Sequence, residues 1–249
     1  MTRIGSSVLR FESVESTNDI AREMAGRAGK EGTVIVAREQ TAGKGRQGRS
    51  WFSPPDAGLY FSVILGPDLS PPSLPFISLA AAVSVAESLI SEYSLQPDLK
   101  WPNDVLLGGK KVCGILLESA TEADTVQYAV LGIGVNLRRF GPAPEEIRHS
   151  STTLLDETGG LITPDRLLAA LIGSLDRWCE KAVADPERVV GRWQELSSWA
   201  EGCAVRVTWA GGSLEGITRG LARGGALKVE SRDGRMHEVV SGDVSLRRL

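Results

Sequence analysis

Two short stretches of this chain concentrate side chains suited to binding anions. The first is Gly43-Lys44-Gly45-Arg46-Gln47-Gly48-Arg49, where cations alternate with glycines. Ammonium and guanidinium groups neutralise carboxylate and phosphate, and glycine lets the backbone come close to a ligand. The spacing also fits the dinucleotide pattern GxGxxG, but that pattern needs a helix opening at the glycines. Ser50-Trp51-Phe52-Ser53-Pro54-Pro55 follows and excludes such a helix. No GxxxxGK[ST] phosphate loop is present either. Two readings stay open here: a loop that closes over an anionic ligand, or a solvated surface loop with incidental basic residues.

The second stretch is Lys100-Trp101-Pro102-Asn103-Asp104, followed at Lys111 by the otherwise apolar run Val112-Cys113-Gly114-Ile115-Leu116-Leu117 that ends at Glu118. Pro102 drives Trp101 to an extended conformation and ends the strand, which fixes where the neighbouring side chains point. Lys111 sits either at a strand edge with its amine in water or in a cleft. Asp104 and Glu118 together suit a magnesium–phosphate complex. Asp104 equally suits an Asx turn after proline.

These stretches need a scaffold, and the hydrophobic pattern supplies one. Strands are predicted at Val8–Phe11, Thr33–Ala37, Leu59–Leu65, Leu99–Trp101, Val105–Leu107, Lys111–Glu118 and Tyr128–Asn136, with Gly108-Gly109 as a hairpin turn. A helix capped by Ser16 or Thr17 carries Ile20, Met24 and Ala28 at helical spacing. An Ala-rich helix spans Pro75–Tyr93, and helical periodicity runs from Pro164 to Trp199 with Leu167, Leu168, Leu171, Leu175 and Trp178 on one face. Residues 40–56 are too rich in Gly and Pro for regular structure, and a loop of that length inside a compact domain is usually functional or disordered.

After Gly202 the pattern changes to short strands at Ala204–Trp209, Leu214–Leu221, Ala226–Glu230, His237–Val240 and Val244–Arg247. Turns at Gly211-Gly212, Gly224-Gly225 and Asp233-Gly234 separate them, which predicts a small barrel of SH3-like size. The expected domains are therefore 1–201 and 202–249.

A net charge of −3 gives the chain no overall electrostatic footprint for nucleic acid. Cys113, Cys179 and Cys203 are far apart, without CxxC spacing, and read as reduced packed thiols. The N-terminal stretch lacks an apolar leader core, and no apolar run reaches membrane-spanning length, so a soluble cytoplasmic protein is expected. His149 and His237 fall in a predicted loop and in the predicted barrel, and neither joins a Ser–His or Cys–His set.

Read together, five blocks stand in a telling order. They are Glu15-Ser16-Thr17-Asn18, Gln40 to Arg49, Lys100 to Asp104, Lys111 to Glu118, and Gly132-Ile133-Gly134-Val135-Asn136. In that order they resemble the biotin–protein ligase family, and the terminal barrel extends the resemblance over nearly the whole chain. The resemblance implies an α+β fold: a mixed β-sheet flanked by helices, of the class II synthetase kind, with a small C-terminal SH3-like barrel. It implies an enzyme that forms biotinyl-5'-AMP from biotin and ATP with Mg2+, then transfers biotin to a lysine of a biotin carboxyl carrier domain, such as that of acetyl-CoA carboxylase. Lys111 and Arg46 would carry the catalysis. Ser16, Thr17, Asn18, Gln40, Gly43, Lys44, Arg46, Lys111 and Gly114 would face biotin. Arg46, Arg49, Trp51, Lys100, Asn103 and Asn136 would face the nucleotide, and Asp104 and Glu118 the metal.

Lys44 departs from the arginine usual at the head of the loop, which keeps the charge but not a two-pronged phosphate fork. Only about a dozen residues precede the Ser-Thr-Asn block, too few for a helix-turn-helix, so no DNA contact is expected. A homodimer is left open. Three rivals are carried forward: a lipoate- or octanoate-handling transferase of similar fold, a nucleic-acid-binding module using the basic loop, and a biotin binder without turnover.

Overall fold

The computed structural model describes residues 3–25, 27, 30–66, 69–122, 124–139, 144–209, 212–240 and 244–249. Ala28 of the first predicted helix and Gly211 of a predicted turn lie outside the described residues.

The chain enters as β1 (Ser7–Val14), crosses through α1 (Thr17–Ala25) and returns parallel to β1 as β2 (Thr33–Gln40). Then come β3 (Gly58–Leu65), α2 (Leu74–Tyr93), the short strands β4 (Asp98–Lys100) and β5 (Asp104–Leu107), and the long strands β6 (Lys110–Glu122) and β7 (Thr125–Asn136). The other pairings are antiparallel, which makes a mixed seven-stranded sheet in the order β1-β2-β3-β7-β6-β5-β4. This is the mixed sheet that the resemblance implies.

Two short helices follow, α3 (Glu145–Ser150) and α4 (Leu154–Thr158), then α5 (Pro164–Ala184) and α6 (Pro186–Glu195). His149, expected in a loop, is an exposed residue of α3. The periodicity from Pro164 to Trp199 suggests one stretch, but the chain breaks at Asp185-Pro186. Proline cannot donate to the helical ladder, and the Asp185 carboxylate accepts from the Arg188 amide at 3.2 Å, so it caps a second helix instead. The chain ends in five antiparallel strands: β8 (Glu201–Trp209), β9 (Gly212–Leu221), β10 (Leu227–Ser231), β11 (Met236–Val239) and β12 (Val244–Arg248). Their order is β11-β10-β9-β8-β12, as a small SH3-like domain requires.

Strand periodicity divides the large sheet into two faces. On one, Leu59, Phe61, Val63 and Leu65 of β3 and Ala129, Leu131, Ile133 and Val135 of β7 join the main core with α2 and α5. The intervening residues turn to the other face, where α1 covers only part of the sheet: Ala21 packs with Ile35, Ile64 and Val130 in a small separate cluster. Tyr60, Ser62, Gly132, Gly134 and Asn136 alternate onto this half-covered face, as do Gly114, Leu116 and Glu118 of β6. The candidate residues therefore converge here because one face of the sheet is left open.

One finding runs against the sequence reading of apolar runs. Residues Pro71–Tyr93 form a segment long and apolar enough to span a bilayer, with mean hydropathy 1.7, but its most apolar stretch is 72% buried inside the fold. Its inward-facing Ser84 and Ser88 donate to the carbonyls of Ala80 and Ser84 at 2.7 and 2.8 Å, which satisfies both hydroxyls within the helix.

The two sheets share a continuous core, and Trp101 is a joint between them. Its ring is 1% exposed, and its indole N–H donates to the Gly225 carbonyl at 3.2 Å, in a turn of the C-terminal sheet. Replacing Trp101 with Ala should lower the unfolding free energy by about 3–5 kcal/mol. Trp101→Phe keeps most of the volume and should lose about 1 kcal/mol. Urea denaturation of both variants checks this, and equal losses would show that the hydrogen bond, not the packing, joins the sheets.

Candidate active site

Residues 40–53 form an arm folded back on itself rather than an irregular loop. Its stem is closed by bridges between Gln40 and Ser53 and between Lys44 and Ser50, and by the Trp51 amide donating to the Gly43 carbonyl at 2.8 Å. A side chain at Gly43 would meet the Trp51 carbonyl at 2.5 Å, so the stem needs glycine there. The tip is a short turn over Arg46–Gly48, with Gln47 at φ 60°. Amides of Thr41 and Ala42 donate to the carbonyls of Val14 and Glu15, both at 2.9 Å, and anchor the arm to the β1–α1 junction.

Beneath the arm lies the sheet, bare where it must be. Gly114 and Gly134 are register partners on β6 and β7. A Cβ at Gly134 would stand 2.4 Å from the Trp51 ring nitrogen, and one at Gly114 2.9 Å from the same indole. The indole thus rests on backbone. Its buried N–H has no hydrogen-bond partner, which leaves a donor available to a ligand. Gly132 serves the same purpose for Asn18, whose amide oxygen would lie 2.2 Å from an added Cβ.

A polar floor surrounds this patch. Ser16, Thr17 and Asn18 are buried where α1 begins. The Thr17 hydroxyl does not cap its helix; it and the Thr17 amide both donate to the Gln40 side-chain oxygen, at 3.1 and 2.8 Å. The Gln40 amide nitrogen donates to the Ser53 hydroxyl at 2.9 Å. Asn18 donates to Glu118 at 2.6 Å. Ser16, Thr17, Asn18, Gln40, Lys44, Gly45, Arg46, Lys111 and Gly114 line a narrow cavity of about 60 Å3.

Beyond Trp51 opens a larger cavity of about 350 Å3. It is lined by seven cations, Arg46, Arg49, Lys100, Lys111, Arg138, Arg139 and Arg148, and by one carboxylate, Asp104. Asp104 pairs with the Lys111 amine at 2.6 Å, and the same amine lies 5.1 Å from the Trp51 ring centre. Burial pulls the Lys100 amine below its usual range, while Asp104 opposes that shift. Asn103 is a bracket: its amide nitrogen donates to the Ile115 carbonyl at 2.7 Å, and its oxygen accepts from Arg46 at 3.1 Å. Asn136 donates to the carbonyls of Lys111 and Thr152, at 3.3 and 3.1 Å, and so fixes the start of β6.

The expected metal pair does not form. Asp104 pairs in register with Gly114, four residues before Glu118, so about 13 Å of strand separates the two carboxylates. Glu118 lines a different, open groove of about 730 Å3 on the other side of the arm tip and is occupied by Asn18. Among the described residues no group of three or more His, Cys, Asp or Glu side chains comes together. The large cavity therefore suits a magnesium ion that takes Asp104, water and phosphate oxygens, and not one caged by protein ligands.

Sequence reasoning missed Arg138, Arg139, Arg148 and Trp199. The first two follow the Gly132–Asn136 block after Leu137, and the Arg138-Arg139 doublet just past a strand end was the available signal. Trp199 offered none; its ring lies 4.9 Å from the Lys100 amine and 4.4 Å from the Arg248 guanidinium.

Replacing Gly134 with Ala should push Trp51 and the arm off the sheet without unfolding the core, because the Cβ would meet the ring and not the packed face. The expected result is a shifted tryptophan emission at an unchanged melting temperature. An unshifted emission would show that the indole does not depend on this glycine.

Comparison with known proteins fits this geometry. The biotin/lipoate A/B protein ligase family matches residues 10–136, and the biotin protein ligase C-terminal domain matches residues 202–247. A bifunctional ligase/repressor BirA of Bacillus spizizenii is 30% identical over 98% of this chain and 75% of its own length. A biotin–[acetyl-CoA-carboxylase] ligase of Mycobacterium tuberculosis is 35% identical over 92% of this chain and 85% of its own. A biotin protein ligase from Aquifex aeolicus, solved in complex with biotin and ATP, superposes with a TM-score of 0.83 at 30% identity, covering 98% of this chain and 100% of that one. By both matched regions and by its fold, this chain belongs to the biotin/lipoate A/B protein ligase family and carries the C-terminal domain of the biotin protein ligases.

Proposed function

We propose that this protein activates biotin with ATP as biotinyl-5'-AMP and transfers the biotinyl group to a lysine of a biotin carboxyl carrier domain. The observation that carries this reading is the meeting of two unlike cavities at Lys111 and Arg46. One is narrow and polar and suits a small ring with hydrogen-bonding edges. The other is wide and cationic and suits a nucleoside triphosphate.

In the first step a biotin carboxylate oxygen attacks the α-phosphorus and the bond to pyrophosphate breaks. One anion must approach another, so the site has to cancel charge where water is excluded. Lys111 and Arg46 are positioned for this, and Lys100 and Arg49 for the outgoing phosphates. A magnesium ion held by Asp104 would add to the charge neutralisation when bound. In the second step the carrier amine attacks the acyl carbon, loses a proton, and the bond to AMP breaks. The narrow cavity is well below the roughly 300 Å3 of ordinary ligand sites, so admitting biotin requires the arm and its Trp51 to lift and then close again.

Biotin is favoured over lipoate by the Thr17–Gln40 floor, whose hydrogen-bonding groups suit a ureido ring and not a disulfide ring. The M. tuberculosis relative, named for acetyl-CoA carboxylase, supports a carboxylase carrier domain as acceptor.

Intact-mass measurement of a carrier domain, incubated with the enzyme, Mg-ATP and either biotin, lipoate or octanoate, should show a shift with biotin alone. A shift with lipoate or octanoate would overturn the substrate, and no shift with any acid would leave a binder without turnover. Lys111→Ala should reduce adenylate formation by about 10²–10³-fold, as loss of one preorganised charge does. Pyrophosphate release and the melting curve, measured together, separate this from unfolding. Normal turnover in the variant would remove Lys111 from the reaction.

A further inference from the structure

The arm touches α1 through Lys44, which lines the narrow cavity but not the wide one. The Lys44 amine lies 2.5 Å from Asp19 Oδ1, and the two side chains are only 36% and 21% exposed. Arg22, one turn further along the helix, lies 2.7 Å from the same oxygen. Asp19 lines none of the three cavities around the arm, so it touches no substrate held in them. At the tip, the contact from Arg46 to Asn103 engages a group that the proposed reaction requires for phosphate. Lys44–Asp19 is thus a hold on the arm that does not have to break when the nucleotide binds.

We infer that Lys44 and Asp19 form a latch that keeps the arm closed over the adenylate, with Asp19 as a positioning residue. A latch of this kind also accounts for lysine at position 44. A single carboxylate oxygen shared with Arg22 calls for a compact point charge and not a guanidinium fork. The ammonium expected to face biotin serves instead to hold the cover over it. A partly shielded ion pair loses strength as salt rises. It also sits far enough from the chemistry to change the lifetime of the closed state without altering the reacting groups.

This inference rests on the proposed activity, and its test distinguishes the two. Biotinyl-adenylate is formed on the enzyme from labelled biotin and Mg-ATP, free ligands are removed, and retention of the label is followed over time without carrier. Asp19→Asn should release the adenylate about two- to fivefold faster than the wild type, the range an exposed-to-partly-buried ion pair supports. The rate of adenylate formation with biotin saturating should stay as in the wild type. Raising salt should narrow the gap between the wild type and Asp19→Asn. Arg22→Ala leaves Asp19 to Lys44 alone and should not speed release. Equal release from Asp19→Asn and the wild type overturns the latch, as does a gap between them that salt leaves unchanged. Release that quickens as much in Arg22→Ala assigns the effect to the helix and overturns it too. A wild type that retains no adenylate at all overturns the proposed activity, and the latch with it.

Discussion

Trp51 can lie against the sheet only because Gly114 and Gly134 face each other across β6 and β7 with no side chains between them and the indole. Two β-carbons there would hold the arm several ångströms off the backbone. The rest of the site depends on that approach. With the arm down, Arg46 reaches Asn103, Lys111 lies beneath the indole, and Trp51 becomes the wall shared by the narrow and wide cavities. Glycine in a strand interior normally weakens the sheet. Here β7 runs through the middle of seven strands, and its Leu131, Ile133 and Val135 are buried on the opposite face, so packing below compensates for bareness above.

Charge follows the same division. The chain is net negative, yet seven cations line one cavity with a single carboxylate among them. A concave wall of low dielectric focuses such a field, so what matters to an incoming polyanion is the local set and not the sum over the surface. The sequence argument from net charge was therefore silent about a pocket. Arg138 and Arg139, just past β7, and Arg148 of α3 line the same cavity although ten residues of sequence separate Arg138 from Arg148.

Much of the fold could be read from periodicity. The strands of the large sheet were visible because alternation and β-branching mark them, and the two short strands around Pro102 because proline and the Gly108-Gly109 turn punctuate them. Pairing was not readable: nothing local says that β7 inserts between β3 and β6, which requires long-range contacts. The candidate site residues were picked out by the order of five blocks, while the partners that the structure gives them were not. Ser16 or Thr17 was read as the helix cap; α1 begins at Thr17, just after Ser16, and the Thr17 hydroxyl is tied to Gln40 instead. Glu118 looked like a metal ligand and holds Asn18. Both mistakes share a cause: a polar side chain on a sheet or at a helix start has several chemically sensible partners, and the choice is made by which face the neighbouring strand presents.

The C-terminal sheet adds something the large sheet lacks. Lys100 ends β4, the edge strand, and by itself would extend into water with its charge fully hydrated. Trp199 at the junction of the two sheets, itself packed against Arg248 of β12, closes over that lysine, and Leu246 of β12 forms part of the wide cationic cavity. Burial then makes the ammonium costly to keep charged, while the indole face returns only part of what water would give and Asp104 is engaged with Lys111. A cation in that condition gains more from a phosphate oxygen than a hydrated one does, since it has less solvation to lose. The small sheet therefore removes water from a lysine of its neighbour that lines the wide cationic cavity, and Trp101, bonded to the Gly225 turn, holds the two sheets in that arrangement.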